Sequence, residues 1–210
     1  MDNMVASFKL TQTTAQIEKE ITKALIKEIN YTFKNSLSKM LSPIRRVVAS
    51  AIESSPVISE LNTGVLRADF GIPFGRDVST PIVQAVANST YVDMKTFSSR
   101  GKKISGGVFV YIQPSNFANL LSLSVGEIIT EKGTRLPWLE WLLTLGDQVI
   151  IADFGVDYAN AGRSGQGHMT SQARPFKVNT SFSGTTGNNF ITRALDSHVG
   201  EIAKVIERSI

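Results

Sequence analysis

The chain has 210 residues, a net charge of +4, 42% apolar and 19% charged residues, and no cysteine. That length supports one sizeable core, and the composition fits a soluble folded domain. The absence of thiols excludes disulfides, thiolate catalysis and cysteine-bound metals, and fits synthesis in a reducing compartment. No apolar run approaches the roughly 20 residues that a membrane helix needs; the densest, Leu136 to Leu145, is short and contains Glu140. The opening MDNMVASFKL begins with an acid and has no basic region ahead of an apolar one, which predicts no signal peptide.

In chain order, Thr13 and Thr14 cap a predicted helix over Thr14 to Leu41. Ile17, Ile21, Leu25, Ile29, Phe33, Leu37 and Leu41 recur every four residues and draw one apolar stripe that drifts slightly around the cylinder. Lys19, Lys23, Lys27 and Lys34 lie off it. Pro43 is expected to break or kink the helix, with Ile44, Val47, Val48, Ala51 and Ile52 forming a shorter extension. Residues 54–73 read as short pieces punctuated by Asn62-Thr63-Gly64 and two prolines, with a strand or helical turn at Val65 to Phe70. A second helix is expected from Thr80 to Asn88, capped by Ser79 or Thr80 with Pro81 near its start.

Tyr91 to Phe97 and Gly107 to Gln113 read as strands. The RGKKISGG between them fits a hairpin connection or a mobile arm. Asn116 to Ser124 is open between a helical turn and a loop. Pro137 to Leu145 reads as a short apolar helix ended by Gly146, and Gln148 to Val156 as a strand. Residues 162–187 are rich in glycine, serine and threonine and read as a long loop or β-arm. A final helix begins at Asn188 or Asn189, its apolar side made by Ile191, Leu195, Val199, Ile202 and Ile206. No internal repeat or linker interrupts this order. It predicts a single α+β domain over 1–210: an antiparallel sheet with helices on one side, between a helical region over 1–53 and a C-terminal helix over 188–210.

Clustered titratable groups are the mark of an enzyme, and none is legible. The two histidines, His168 and His198, stand apart from any metal-binding spacing and read as structural or exposed. The glycine run GRSGQG, Gly162 to Gly167, is followed by His168-Met169 where a phosphate loop needs Gly-Lys-Ser/Thr and a helix, so it reads as a flexible loop. Asp153-Phe154-Gly155 copies three letters of the kinase magnesium motif without the rest of that set. Glu18 and Glu20 project in different directions from a helix. No catalytic centre, metal or cofactor is expected.

Two features point to surfaces. From Tyr158 to Leu195 there is no Asp or Glu, while Arg163, Arg174, Lys177 and Arg193 all fall there. This is either a chance imbalance in a polar region or a surface facing phosphates or an acidic partner. Trp138 and Trp141 share one face of the short helix, either anchoring it on the core or filling a neighbour's pocket.

The helix Thr14 to Leu41, the turn Asn62-Thr63-Gly64-Val65-Leu66-Arg67 after Pro56, and the passage LPWLEWLLTLGD resemble the tail-completion or neck family of tailed bacteriophages. That family includes the minor tail protein Z-like proteins. Arg174-Pro175-Phe176 followed by NNFITRALDSHVGEIAKVIERSI matches its closing stretch, and GTTGNNFITRAL, Gly184 to Leu195, carries the most specific likeness. The Arg-Pro-Phe stretch lies well ahead of the final helix, and the Trp-rich helix is an addition to the family pattern.

The resemblance implies terminal helices on an antiparallel sheet and a ring, commonly of six copies, in the virion neck. That ring would be assembled in the host cytoplasm as a connector, tail-completion or tail-terminator element, between head-connector and tail-tube proteins. DNA would pass through it non-specifically. On this reading Arg163, Arg174, Lys177 and Arg193 are candidates for lumen or subunit contacts, and Trp138 and Trp141 for packing or interface anchors. The other readings are a decoration or baseplate protein and a nucleic-acid-binding module using the acid-free segment.

Overall fold

The computed structural model describes residues 11–101, 103–129, 133–171 and 175–210, and within them the chain is a mixed α+β protein. Helix α1 runs unbroken from Thr14 to Glu53. Its start is a reciprocal cap: the Thr13 hydroxyl accepts from the Gln16 amide at 3.3 Å, and the Gln16 side chain accepts from the Thr13 amide at 2.8 Å. Of the two outcomes expected of Pro43, a break is excluded, because the helix continues through it. Its missing N–H leaves the Lys39 carbonyl without a helical partner, a cost of about 3 kcal/mol. Met40, Ile44, Val48 and Ile52 bracket it in one fully buried row, and each such side chain contributes about 1.5–3 kcal/mol. Burial wins.

The apolar stripe drifts more than its spacing first suggests. At about 100° per residue, Phe33 and Leu37 lie within roughly 20° of Ile44, at the centre of the buried row, but Leu25, Ile21 and Ile17 lie roughly 100°, 140° and 180° away. Within the first half of α1, Ile17, Ile21 and Leu25 therefore turn off the core side, while Ile26 and Ile29 stay on it and are part-buried; Ile21 is 61% exposed and Leu25 49% exposed.

Helices α2 (Pro56–Thr63), α3 (Val65–Asp69) and α4 (Gly75–Ser89) follow. The strand alternative at Val65 to Phe70 is thus excluded. α4 starts well before Thr80, so Pro81 lies inside it, and Ser79 is buried with its hydroxyl on Asn62 Oδ1 at 2.7 Å instead of capping.

Strands β1 (Tyr91–Arg100) and β2 (Lys103–Tyr111) form an antiparallel hairpin. RGKKISGG is largely strand: Arg100 pairs with Lys103 across a tight turn in which Gly101 has φ +64°.

The hairpin lies along α1, held at two points. Arg45 donates to the Thr90 carbonyl at 3.0 and 3.2 Å and to the Asn88 carbonyl at 3.0 Å. Asn30 donates to the Phe97 carbonyl at 2.9 Å and accepts from the Phe97 amide at 2.8 Å. From Arg45 back to Asn30 is about 22 Å of helix, and from Thr90 to Phe97 about 23 Å of strand, so β1 runs antiparallel beside α1. Lys95 pairs with Gly107 and Ser98 with Ser105, which sets Thr96 and Phe97 against Gly106 alone. At this β-bulge Asn30 supplies the partner that the ladder leaves out. Gly106 is required here, because a Cβ would sit 2.6 Å from the Phe97 Cα.

The rest of the chain is made of short pieces. The ambiguous stretch after Asn116 becomes α5 (Ala118–Leu121) and a 3-10 turn at Ser124–Gly126. Then come β3 (Ile128–Ile129), β4 (Arg135–Leu136), α6 (Trp138–Leu143), β5 (Val149–Ile151), β6 (Phe154–Asp157), β7 (His168–Ser171), β8 (Phe176–Lys177) and α7 (Phe190–Ser209). The predicted strand at Gln148 to Val156 is two strands, split at Asp153, whose φ is +63°. Among the described residues the β structure is four two-stranded antiparallel ladders, β1–β2, β3–β4, β5–β8 and β6–β7, in place of one sheet. Two of them use residues 162–187, so that segment is not one loose arm.

α7 returns along α1 under the control of Asn189, which is fully buried. Its Oδ1 accepts from the Ile191 and Thr192 amides at 3.1 and 3.2 Å, and its Nδ2 donates to the Leu143 carbonyl at 3.2 Å and the Thr185 carbonyl at 3.0 Å. One side chain thus caps α7 and ties it to the end of α6.

Asn30→Ala should cost about 1–3 kcal/mol, because it strands both polar groups of Phe97. Urea unfolding measures the loss, and hydrogen exchange should quicken more at Phe97 than at Ile202. An unchanged Phe97 exchange rate would show that the bulge holds without Asn30.

Candidate functional site

The motif Thr63-Gly64-Val65-Leu66-Arg67 joins α2 to α3. Leu66 is fully buried, while Arg67 reaches forward along the chain. Its guanidinium donates to the carbonyls of Ile72 at 3.1 Å, Pro73 at 2.5 Å and Ser164 at 2.9 Å. Gln166 adds a bond to the Thr63 carbonyl at 3.0 Å. The run Gly162 to Gly167 is therefore fastened to the helical body, against the expectation of a flexible loop. It also closes on itself: the Gly165 amide bonds the Gly162 carbonyl at 2.9 Å. A Cβ on Gly162 would overlap the Gly167 carbonyl oxygen, so only glycine fits.

Between this loop, α3 and the β6–β7 ladder lies a cleft of about 610 Å³, with Leu136, Ile151, Phe154 and Met169 among its apolar walls. Asp69, Arg163 and His168 stand at its edge. Burial pushes the Asp69 pKa above the usual carboxylate value; the hydrogen bond from the Tyr158 hydroxyl works against this, and nearby Glu60 adds to it. Tyr158 is held well above the ordinary phenol range by burial and by that same bond. Asp157 is pulled below its usual value by bonds from the Asn160 side chain and the Ala159 amide. His168 Nδ1 is buried and has no partner among the described residues. Among the described residues no three of His, Asp and Glu gather as a metal-binding group. The arrangement is an apolar recess with a polar rim, suited to holding an apolar group.

The sequence-predicted residues fall in separate places. Arg163 covers Gly71 and donates to the Ile129 carbonyl at 3.3 Å, at the cleft. Lys177 is exposed on β8, paired with Val149. Arg193, in the first turn of α7, bonds Asn188 Oδ1 at 3.0 Å and lines a crevice with Ala51 and His198. Arg174 lies outside the described residues. Trp138 is 0% exposed and stacks on Phe70 at 5.6 Å between ring centres; Trp141 is half-buried, 6.3 Å from the same ring. Trp138 is thus a core residue, and no neighbouring chain can reach it. The Asp69–Tyr158 pair leaves no signal in the sequence, because 89 positions separate its members.

Exposed apolar side chains concentrate elsewhere. On the hairpin, Val92, Met94, Val108 and Val110 face inward, while Tyr91, Phe109 and Tyr111 face outward and are exposed. The rings of Tyr91 and Tyr111 stack at 4.7 Å and 11°. Ile21 and Leu25 on the first half of α1 are exposed as well. Among the described residues, no helix is long and apolar enough to cross a membrane.

The Asp69–Tyr158 pair makes stability pH-dependent. Because the folded state raises the Asp69 pKa, this group's favourable contribution is complete below its unfolded value of about 3.9 and is lost as pH rises through the folded value. Tyr158 limits that loss by supporting the carboxylate. Tyr158→Phe should therefore destabilise by about 1–3 kcal/mol at pH 7 and by less at pH 4, measured by urea unfolding at both. Equal deficits would show that the bond is indifferent to ionisation.

Comparison with protein-family models, with curated proteins and with solved structures found no match for this chain.

Proposed function

We propose that this chain is a structural subunit of a tailed-bacteriophage neck, forming a ring that joins head to tail around the DNA channel. The observation that carries this reading is the unfinished apolar surface: Ile21 and Leu25 in the first half of α1 face away from the chain's own core, and the hairpin presents exposed aromatics. Exposed apolar patches of this kind mark contacts with another macromolecule. The likeness of Gly184 to Leu195 and of Asn62 to Arg67 to the neck family supports the same reading. In the fold those segments cap α7 and clamp the 162–167 loop, the work of a scaffold that holds surfaces in place.

In this role the protein acts by shape. Its partners are other copies of itself, the head-connector and tail-tube or terminator proteins above and below, and DNA in passage. Contacts between unlike patches generate a ring when the rotation closes. Arg163, Lys177 and Arg193 lie in three neighbourhoods, which suits a weakly basic subunit better than one concentrated DNA-binding groove.

Projection imaging of the purified protein should show closed rings with a hole wide enough for duplex DNA, and antibodies should label virions between head and tail. A chain that stays monomeric and binds free DNA with a steep salt dependence would overturn the proposal in favour of a nucleic-acid-binding module.

A further inference from the structure

We infer that the projecting half of α1 in one copy packs across the outer face of the β1–β2 hairpin of the next copy, head to tail. This inference rests on the ring reading above and names the contact that would build it.

Helical phase supplies the first reason. Ile17, Ile21 and Leu25 lie roughly 180°, 140° and 100° around α1 from Ile44, so the core row of the same helix cannot cover them. The hairpin supplies the second. Its inner face rests on α1, its outer face carries Tyr91, Phe109 and Tyr111, and among the described residues β1 and β2 pair only with each other. A two-stranded ribbon gains most from a cover on its open face, since such ribbons are marginal alone.

The two surfaces match in kind and size. Ile21 and Leu25 span about 6 Å of helix, and the pairs Tyr91–Tyr111 and Asp93–Phe109 span about 7 Å of ribbon. Five side chains, Ile21, Leu25, Tyr91, Phe109 and Tyr111, are each roughly half exposed. Joining the faces would bury on the order of 500 Å² of apolar surface from these alone. Summed over both faces, that is about a third of the roughly 1,600 Å² that a standard interface buries in total, the share its apolar centre takes. They are also different patches on one molecule: Leu25 lies about 30 Å along α1 from Arg45, which anchors the hairpin base. A contact between unlike patches that far apart leaves a free helix at one end and a free hairpin at the other, so it propagates. The occupant is a second copy of this chain.

The lack of cysteine gives a clean test. Leu25→Cys and Phe109→Cys replace exposed side chains, and circular dichroism with thermal unfolding checks that each variant folds. Mixed and oxidised, the two single variants should give a reducible dimer that neither gives alone, and the double variant should give a ladder of dimers, trimers and higher species. Leu25→Asp, which creates no thiol, should raise the concentration needed for assembly about tenfold or more by light scattering.

A Leu25→Cys chain that links to itself, a double variant that stops at a doubly linked dimer, or no link at all would each overturn the head-to-tail contact. A ladder without closed rings would sink the neck reading and keep the contact. Closed rings in which the Leu25→Cys and Phe109→Cys chains never cross-link would do the reverse.

Discussion

One row of side chains, Met40, Ile44, Val48 and Ile52, organises the molecule. It is fully buried because α7, β1 and α4 all pack against α1. Neither a two-stranded ribbon nor a lone helix can bury its own apolar side, and α1 provides the common surface. The row also explains why the helix tolerates Pro43: several buried side chains outweigh one missing backbone bond. Asn189 completes the arrangement at the far end, fixing the angle at which α7 starts back along α1.

Much of this architecture is legible in the residues. Spacing of four places α1, alternation places β1, and the Asn189 cap with Ile191, Leu195, Val199, Ile202 and Ile206 places α7. Errors arise where tertiary packing overrides a local rule. Pro43 and Pro81 both sit inside helices because neighbouring burial compensates for their missing donors. Gln148 to Val156 looks continuous, but Asp153 adopts a left-handed turn that sends the two halves to different ladders. The apolar stripe of α1 reads as one face, whereas its phase carries it from the core into solvent.

The surface is harder to read than the core. Composition singles out the cations between Tyr158 and Leu195, yet Arg163, Lys177 and Arg193 point into unrelated neighbourhoods. The glycine run at Gly162 to Gly167 suggests mobility, and Arg67 and Gln166 hold it still through carbonyls that no side-chain pattern reveals. The Asp69–Tyr158 bond joins residues far apart in the chain. Trp138 reads in the sequence as either a core or an interface anchor, and the structure places it in the core, stacked on Phe70.

Asn30 grips the hairpin at its bulge, near the point where helix and ribbon both leave the body of the protein. Joined there and at Arg45, the two cannot slide past each other, so they stick out as one stiff beam. A push on the tip is then carried down the beam into the packed row at its root.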